Sequence, residues 1–332
     1  MDKRNLGRTE IQISEIAFGA WAIGGWLWGG SDAREAVKAI EAGIDNGMTT
    51  IDTASVYGFG LSEELVGKAI KGKREKVQVL TKFGMEWNKK EGEYFFDTKD
   101  NSGNDIQIYK WSSKNKVLSD CDDSLKRLNT DYIDLFQIHW PDNTTPVSET
   151  MEALEILISK GKIRAGGVCN YSAGLMAEAN TTFRLASNQV PYSIVRRDIE
   201  KDVVPYSIEN NISVIAYSPL QRGLLTGKFK ADHKFNEGDN RPSTPYFKEP
   251  NFSRIMGLLK DLMPIADEHN ATLSQLVLNW TICQPGITCA LAGARNPEQV
   301  IDNVGATRFR LTDEEIIKIN KYISGISLDT KI

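Results

Sequence analysis

Met48-Thr-Thr-Ile-Asp52-Thr-Ala-Ser-Val-Tyr57-Gly-Phe-Gly60 joins a short β-branched run to a glycine-rich turn. The run reads as a strand ending in an acid, Asp52, and the turn presents a phenol, Tyr57. Further apolar runs repeat the pattern at 16–18, 77–81, 132–139, 165–168, 186–190, 213–217 and 289–291. With 49–53 they make eight expected strands. Most are continuous rather than alternating, as suits strands covered on both faces of a parallel sheet.

Stretches of helical period lie between the runs. Asp32 caps a helix over 33–46 whose Ala36, Val37, Ile40 and Ile44 form one apolar stripe and which Gly47 stops. Helices are likewise expected over 61–71, 113–128, 148–160, 199–210 and 253–269. Thr312-Asp-Glu-Glu315 is a capping box for a last helix to residue 323, with a frayed tail beyond. Eight strands alternating with helices favour an α/β (β/α)8 TIM barrel over a doubly wound sheet, and residues 4–13 read as an N-terminal β-hairpin ahead of it. No composition shift or Pro/Ser-rich linker divides the chain, so 1–332 is expected to be one barrel domain. Segments 84–111 and 220–251 are too long for plain βα connections. Each follows the C-terminal end of a strand, which puts both at the mouth of the barrel as long loops.

Composition narrows the function. A formal net charge of −4 with scattered Lys and Arg argues against a nucleic-acid face or a polybasic membrane patch. No apolar window is long enough for a transmembrane helix, and no signal-type apolar region follows the N-terminus. The four cysteines form no CxxC pair and are read as reduced thiols in a cytoplasmic protein. With His at only three positions and none at ligand spacing, no metal site is expected.

In a barrel, polar residues at strand C-terminal ends converge on one mouth. Asp52, Lys82, His139 and Asn170 each follow an apolar run at such an end. Singly, each has an ordinary structural explanation: a turn former, a snorkelling side chain, a satisfied core histidine, a loop residue. Together they make a coherent site. Asp52 supplies the counter-ion a buried Lys82 needs. The ammonium is expected to lower the Tyr57 phenol from its ordinary value of about 10 and make it a usable general acid. A neutral His139 can orient a carbonyl oxygen by hydrogen bonding. Such a site protonates a developing alkoxide, and only a hydride source is missing.

Asp52-x4-Tyr57, Thr81-Lys82 and Asp134-Leu-Phe-Gln-Ile-His139-Trp-Pro-Asp142 resemble the catalytic tetrad of the aldo-keto reductase superfamily. Phe18-Gly-Ala-Trp21, Gly167-Val-Cys-Asn170, Gln189-Val-Pro-Tyr192, Tyr217-Ser-Pro-Leu220 with Gly223-x-Leu-Thr-Gly227-Lys228, and Gly293-Ala-Arg295-x3-Gln299-x3-Asn303 resemble its cofactor motifs. The similarity runs from about residue 4 to about 323. Within the superfamily the chain most resembles the bacterial stress and inositol-catabolism reductases, relatives of plant-type reductases and potassium-channel β subunits.

The resemblance implies an NADPH (NADP+)-dependent oxidoreductase that reduces an aldehyde or ketone. Tyr57 donates the proton, Lys82 and Asp52 tune it, and His139 orients the carbonyl. Asn170 and Gln189 hold the carboxamide of the cofactor and Tyr217 stacks on its ring. Ser218, Leu220, Gly223 and Lys228 belong to a loop over the pyrophosphate. Arg295 meets the 2′-phosphate, and Gln299 and Asn303 reach the adenine. Ala20, Trp21, Asp52, Cys169 and Gly293 are counted with them as cofactor contacts. Cys169 stands where many relatives carry serine, and a thiol is the weaker hydrogen-bond partner.

Trp21, Trp26, Trp28, Trp87 and Trp140 fall on loops at the mouth and imply an aromatic-walled pocket for a small carbonyl substrate. The physiological substrate, the reaction direction and the choice between monomer and homo-oligomer are not encoded in these motifs. Two rival readings keep the same residues. One is a redox-sensing, cofactor-binding regulatory subunit like the channel β subunits. The other is an aldolase forming a Schiff base on Lys82.

Overall fold

The computed structural model describes residues 1–230 and 232–330. Lys3–Asn5 (β1) and Gln12–Ser14 (β2) pair antiparallel as the expected hairpin. The first barrel strands are Ile16–Gly19 (β3), Thr50–Asp52 (β4) and Gln78–Phe83 (β5). After three short strands described below come Ile133–Ile138 (β9), Ile163–Cys169 (β10), Ser187–Pro191 (β11), Ser213–Tyr217 (β12) and Ile287–Gly293 (β13). These eight close into a barrel in sequence order, every neighbouring pair parallel and β13 returning to β3. All eight sequence-expected strands are present.

The barrel has two apolar shells. Ala17, Leu80, Leu135, Ala165, Ile215, Cys289 and Leu291 fill the interior, and the hairpin closes its lower end by adding Leu6 and Ile13 to the same cluster. Gly7 turns that hairpin at φ +56°, and a Cβ there would lie 2.5 Å from the Ala186 carbonyl oxygen, so only glycine fits. Outside the strands, the second shell joins them to the helices.

The helices are Ala33–Asp45 (α1), Leu61–Ala69 (α2), Lys114–Leu128 (α3), Val147–Ser159 (α4), Ala173–Asn180 (α5), Val203–Asn210 (α6), Asn251–Glu268 (α7), Leu273–Cys283 (α8), Pro297–Gly305 (α9) and Asp313–Ser324 (α10). The Asp32 cap forms as expected, accepting from the Arg34 and Glu35 amides, and so does the Thr312/Glu315 capping box. The helix expected over 199–210 is broken: a 3-10 turn at Asp198–Glu200 precedes α6, which restarts on an Asp202 cap. The expected frayed tail is instead tied down, because Asn251 exchanges hydrogen bonds with the Asp329 backbone and Arg254 bonds the Ser327 carbonyl. The last two residues of that tail lie outside the described residues.

Segment 84–111 is not a plain loop. Met85–Glu86 (β6), Glu93–Lys99 (β7) and Asp105–Lys110 (β8) form an antiparallel sheet in the order β6-β8-β7. Alternation at Ile106 and Ile108 was the available signal. Segment 220–251 stays irregular, with 3-10 turns at Gln221–Thr226, Arg241–Ser243 and Pro245–Phe247. Its Asp239 bridges to Trp28 across the mouth.

Candidate active site

Strand ends and turns bring the predicted residues together. Asp52 ends β4, Lys82 is the penultimate residue of β5, and His139 follows β9 with its amide bonded to the Phe83 carbonyl at 3.0 Å. The Tyr57 turn is fixed on both sides, its amide bonding the Ala54 carbonyl and its carbonyl accepting from the Ser62 amide. Lys82 lies beneath the cavity floor, 1% exposed. Its ammonium donates to Asp52 Oδ1 at 2.6 Å, to the Thr53 carbonyl at 2.8 Å and to the Tyr57 hydroxyl at 3.3 Å. The other Asp52 oxygen accepts from Gln189 Nε2 at 2.7 Å. Every donor on the ammonium therefore has an acceptor and both carboxylate oxygens have donors, the condition a buried ion pair must meet.

The electrostatics sort these groups into distinct states. Burial is the largest single influence on Lys82 and works to discharge it, but Asp52 together with the neighbouring Tyr57 and Cys169 outweighs it and holds the ammonium above its ordinary range. A lysine held charged is a poor amine nucleophile, which disfavours a Schiff base. Burial first, then the Lys82 charge, keep His139 well below the ordinary histidine value and hence neutral. The expectation for Tyr57 is corrected. Lys82 does pull the phenol down, but burial pushes it up by more, so it lies above its ordinary value. The hydroxyl is accordingly a fully loaded proton donor whose acidity Lys82 moderates rather than brings to neutrality.

Above this floor opens a cavity of about 680 Å³. Asp52, Tyr57 and His139 face it, with Cys169, Asn170, Gln189 and Tyr217 from the next strand ends. Asn170 adopts φ +60° and is held by its neighbours: its amide nitrogen donates to the His139 carbonyl and its oxygen accepts from the Tyr217 hydroxyl. Burial pushes the Cys169 thiol up, leaving it a neutral, weak hydrogen-bonding group. Ser218, Leu220, Gly223 and Lys228 line a second stretch, and Gly293, Arg295, Gln299 and Asn303 a third. Gln299 and Asn303 are partly engaged at home, accepting from the Arg295 amide and donating to the Gly293 carbonyl.

Arg295 is the most informative of these. It is half-buried, and burial together with the nearby Arg241 lowers its pKa. Arg241 is satisfied by Asp239, 2.5 Å away. Among the described residues no carboxylate lies within ion-pair distance of Arg295 or of Arg222, a second cavity-lining cation. Desolvated cations that face a cavity with no carboxylate in contact, Asp239 acting on both only from further off, suit an anionic ligand.

Two sequence expectations do not hold. Trp21, Trp26, Trp28 and Trp140 line the cavity, but Trp87 does not; it packs edge-on behind Phe59 at 5.5 Å. Ala20 is fully buried off the cavity, its backbone tied to Asp52 and Ser62. Sequence reasoning also missed lining residues. Phe95 and Phe96 come from the unforeseen sheet, Arg222 occupied an unassigned position in the quoted loop motif, and Asp302 sits unremarked between Gln299 and Asn303.

Comparison with known proteins places the chain. The family model described as Aldo/keto reductase family matches residues 15–324. The aldo-keto reductase YhdN of Bacillus subtilis (strain 168) is 38% identical, covering 99% of this chain and 96% of that protein. An NADH-specific methylglyoxal reductase of Escherichia coli (strain K12) is 37% identical over 95% of this chain and 96% of its own. The solved structure of the glycerol dehydrogenase AKR11B4 from Gluconobacter oxydans superposes with a TM-score of 0.88 at 36% identity, covering 100% of this chain and 98% of that one. With the barrel closed, the charged floor assembled and such matches spanning nearly its whole length, the chain belongs to the aldo/keto reductase family of oxidoreductases acting on carbonyl groups.

Proposed function

We propose that the whole chain works as one barrel domain that reduces a small aldehyde or ketone to the alcohol with NADPH, Tyr57 giving the proton. The observation that carries this reading is the Lys82 contact set. One ammonium touches Asp52, Thr53 and the Tyr57 hydroxyl, while Tyr57 and His139 open onto the cavity. When bound, the nicotinamide supplies the hydride. Tyr57 protonates the oxygen on which charge develops, and Lys82 stabilises the phenolate left behind. Asp52 never meets the substrate; it keeps Lys82 charged and in place. Neutral His139, which lines the cavity, orients the carbonyl oxygen.

The fit of the cofactor rests on the cavity's own chemistry. Asn170 and Gln189 stand at the floor for the carboxamide, where Gln189 has its oxygen left to accept because its nitrogen is committed to Asp52. Tyr217 offers a ring face beside them. Arg222 and Lys228 serve the pyrophosphate, and Arg295, a cation without a carboxylate, takes the 2′-phosphate. This last assignment makes NADPH the preferred cofactor, although one relative is named NADH-specific.

Tyr57→Phe tests the reading. The variant should bind NADPH with a Kd within about twofold of the parent and lose about 10²–10⁴ of kcat with a carbonyl substrate. Turnover near the parent rate would overturn the assignment of Tyr57 as the acid. Running NADH in parallel decides the cofactor preference.

A further inference from the structure

Three members of the charged floor are placed by the barrel itself: Asp52 and Lys82 lie in strands and His139 directly follows one. Tyr57 is not. It sits in the turn beyond β4, and its ring packs in a small apolar cluster apart from both barrel shells, together with Trp26, Phe59, Phe96 and Ile108. The base of this turn is tied to the barrel, since the Ser62 hydroxyl donates to the Ala20 carbonyl at 2.9 Å. Its tip is held differently. Gly58 takes φ +65°, and a Cβ there would lie 2.2 Å from the Gly24 carbonyl oxygen. The tip and the loop carrying Gly24 therefore meet backbone to backbone, with no side chain of their own to interlock them.

The side chain that joins them comes from the β7–β8 hairpin. Asn101, in its turn, donates from Nδ2 to the Gly58 carbonyl at 3.1 Å and to the Gly24 carbonyl at 3.4 Å. Both partners are acceptors, so the group facing them has to be the amide NH2. The turn that presents Asn101 is braced by Asp100, whose carboxylate accepts from the Ser102 and Asn104 amides at 2.8 and 2.9 Å and from the Asn104 side chain at 2.9 Å. A second tie runs from the same loop to the hairpin, the Trp26 indole donating to the Thr98 hydroxyl at 3.2 Å.

We infer that Asn101 is a positioning residue for the proton transfer: it staples the tip of the Tyr57 turn to the Gly24 loop and so keeps the phenol in reach of Lys82. The inference rests on the reading of Tyr57 as the acid and adds a residue that acts through it. Asn101 does not line the cavity, so it meets neither substrate nor cofactor. The Tyr57 contact, at 3.3 Å, is the longest of the three that the Lys82 ammonium makes, and it is the first to weaken if the turn moves. Displacing a reacting group by about 1 Å can cost about 10²-fold in rate. The hairpin thus does more than wall the mouth; it holds the one floor residue that no strand holds.

The test is a double-variant cycle, reading the single-turnover rate of NADPH oxidation at saturating benzaldehyde together with the benzaldehyde KM and the NADPH Kd. Asn101→Ala should slow the single turnover about tenfold, with KM and Kd within about twofold of the parent. Asn101→Asp, nearly isosteric, sets a carboxylate oxygen against both carbonyls and should slow it further. Asn101 is exposed, so neither change opens a core, and an unchanged NADPH Kd reports a folded barrel. In a Tyr57→Phe background both substitutions should alter the residual rate by less than about twofold, because the group they position is gone. Parent-like rates in both Asn101 variants would overturn the inference. So would a loss confined to KM, which would make Asn101 a brace of the aromatic wall alone, or an equal loss in the Tyr57→Phe background. If Tyr57→Phe itself turns over at the parent rate, the reading of Tyr57 as the acid falls; if that variant is slow while the Asn101 variants are not, this inference falls alone.

Discussion

Segments 84–111 and 220–251 occupy equivalent positions, each carrying the chain out over the barrel mouth, yet they solve the problem differently. The first alternates polar and apolar residues and pairs with itself, so its backbone polar groups are satisfied within a sheet whose edge strand presents aromatic rings. The second is polar and rich in Gly and Pro, and it is held by 3-10 turns. Ser218, just before it, and Gln221 and Arg222 within it all take positive φ. Such conformations cost about 1–3 kcal/mol each and persist where the surroundings fix them. Here Arg222 is held over the Trp21 ring at 4.8 Å and bonded to Asn240 at 2.5 Å. A rigid apolar wall suits a variable organic group; a strap of positioned cations suits a fixed anionic one. On the function proposed above, the contrast divides substrate and cofactor chemistry between two loops, with the charged floor common to both.

Variants can break that division, and the floor should show the largest effects. Lys82→Met leaves Asp52 buried without its ion, so stability should fall by about 3–5 kcal/mol. Asp52→Asn/Lys82→Met should recover much of that stability in denaturant unfolding without recovering turnover. Full activity in the double variant would mean that the ion pair is dispensable.

On the strap, Arg295→Gln should weaken NADPH binding by about 1.5–3 kcal/mol, a 10- to 150-fold rise in Kd, and leave NADH binding unchanged. An equal loss for both cofactors would move the 2′-phosphate away from Arg295. On the wall, Phe96→Ala should raise KM for an aromatic aldehyde about tenfold through lost stacking and apolar contact, with the NADPH Kd untouched. A cofactor defect in Phe96→Ala would show that the loops are not separate in function.

The smallest effects concern pH. Because His139 stays neutral and Tyr57 stays protonated, kcat for reduction should be flat through the neutral range. The folded-state pKa of His139 is depressed, so the unfolded chain binds the extra proton first. Its contribution to stability is complete above the unfolded value of about 6.5 and declines as pH falls below it. A Tm that drops on acidification should drop less steeply in His139→Gln; identical pH slopes would remove His139 from the account.

Much of this site was legible because the barrel converts sequence order into spatial convergence. Once the eight runs were read as parallel strands, Asp52, Lys82, His139 and Asn170 had to meet at one end. What failed was whatever depended on neighbours far away in the chain. Trp87 and Trp140 looked alike as loop tryptophans, yet Phe59 takes the first and the cavity the second. Helix α8 was missed although Thr272 and Gln275 form a capping box at its start. Its face is apolar almost all round because it is buried almost all round, which erases the amphipathic period. The Tyr57 shift was misjudged for a similar reason. Sequence names the nearby charge but not the depth of burial, and here burial has the larger effect.

By itself the sequence determined the barrel, its strand order and the chemical kinds of residue at its mouth, since hydrophobic period and strand-end polarity are local properties of the chain. Tertiary structure decided the protonation states, the pairing of Arg241 that leaves Arg295 without a carboxylate, and the aromatic wall built by β7. Each of these depends on distance and desolvation between segments remote in sequence, and on those two quantities a linear pattern carries no information.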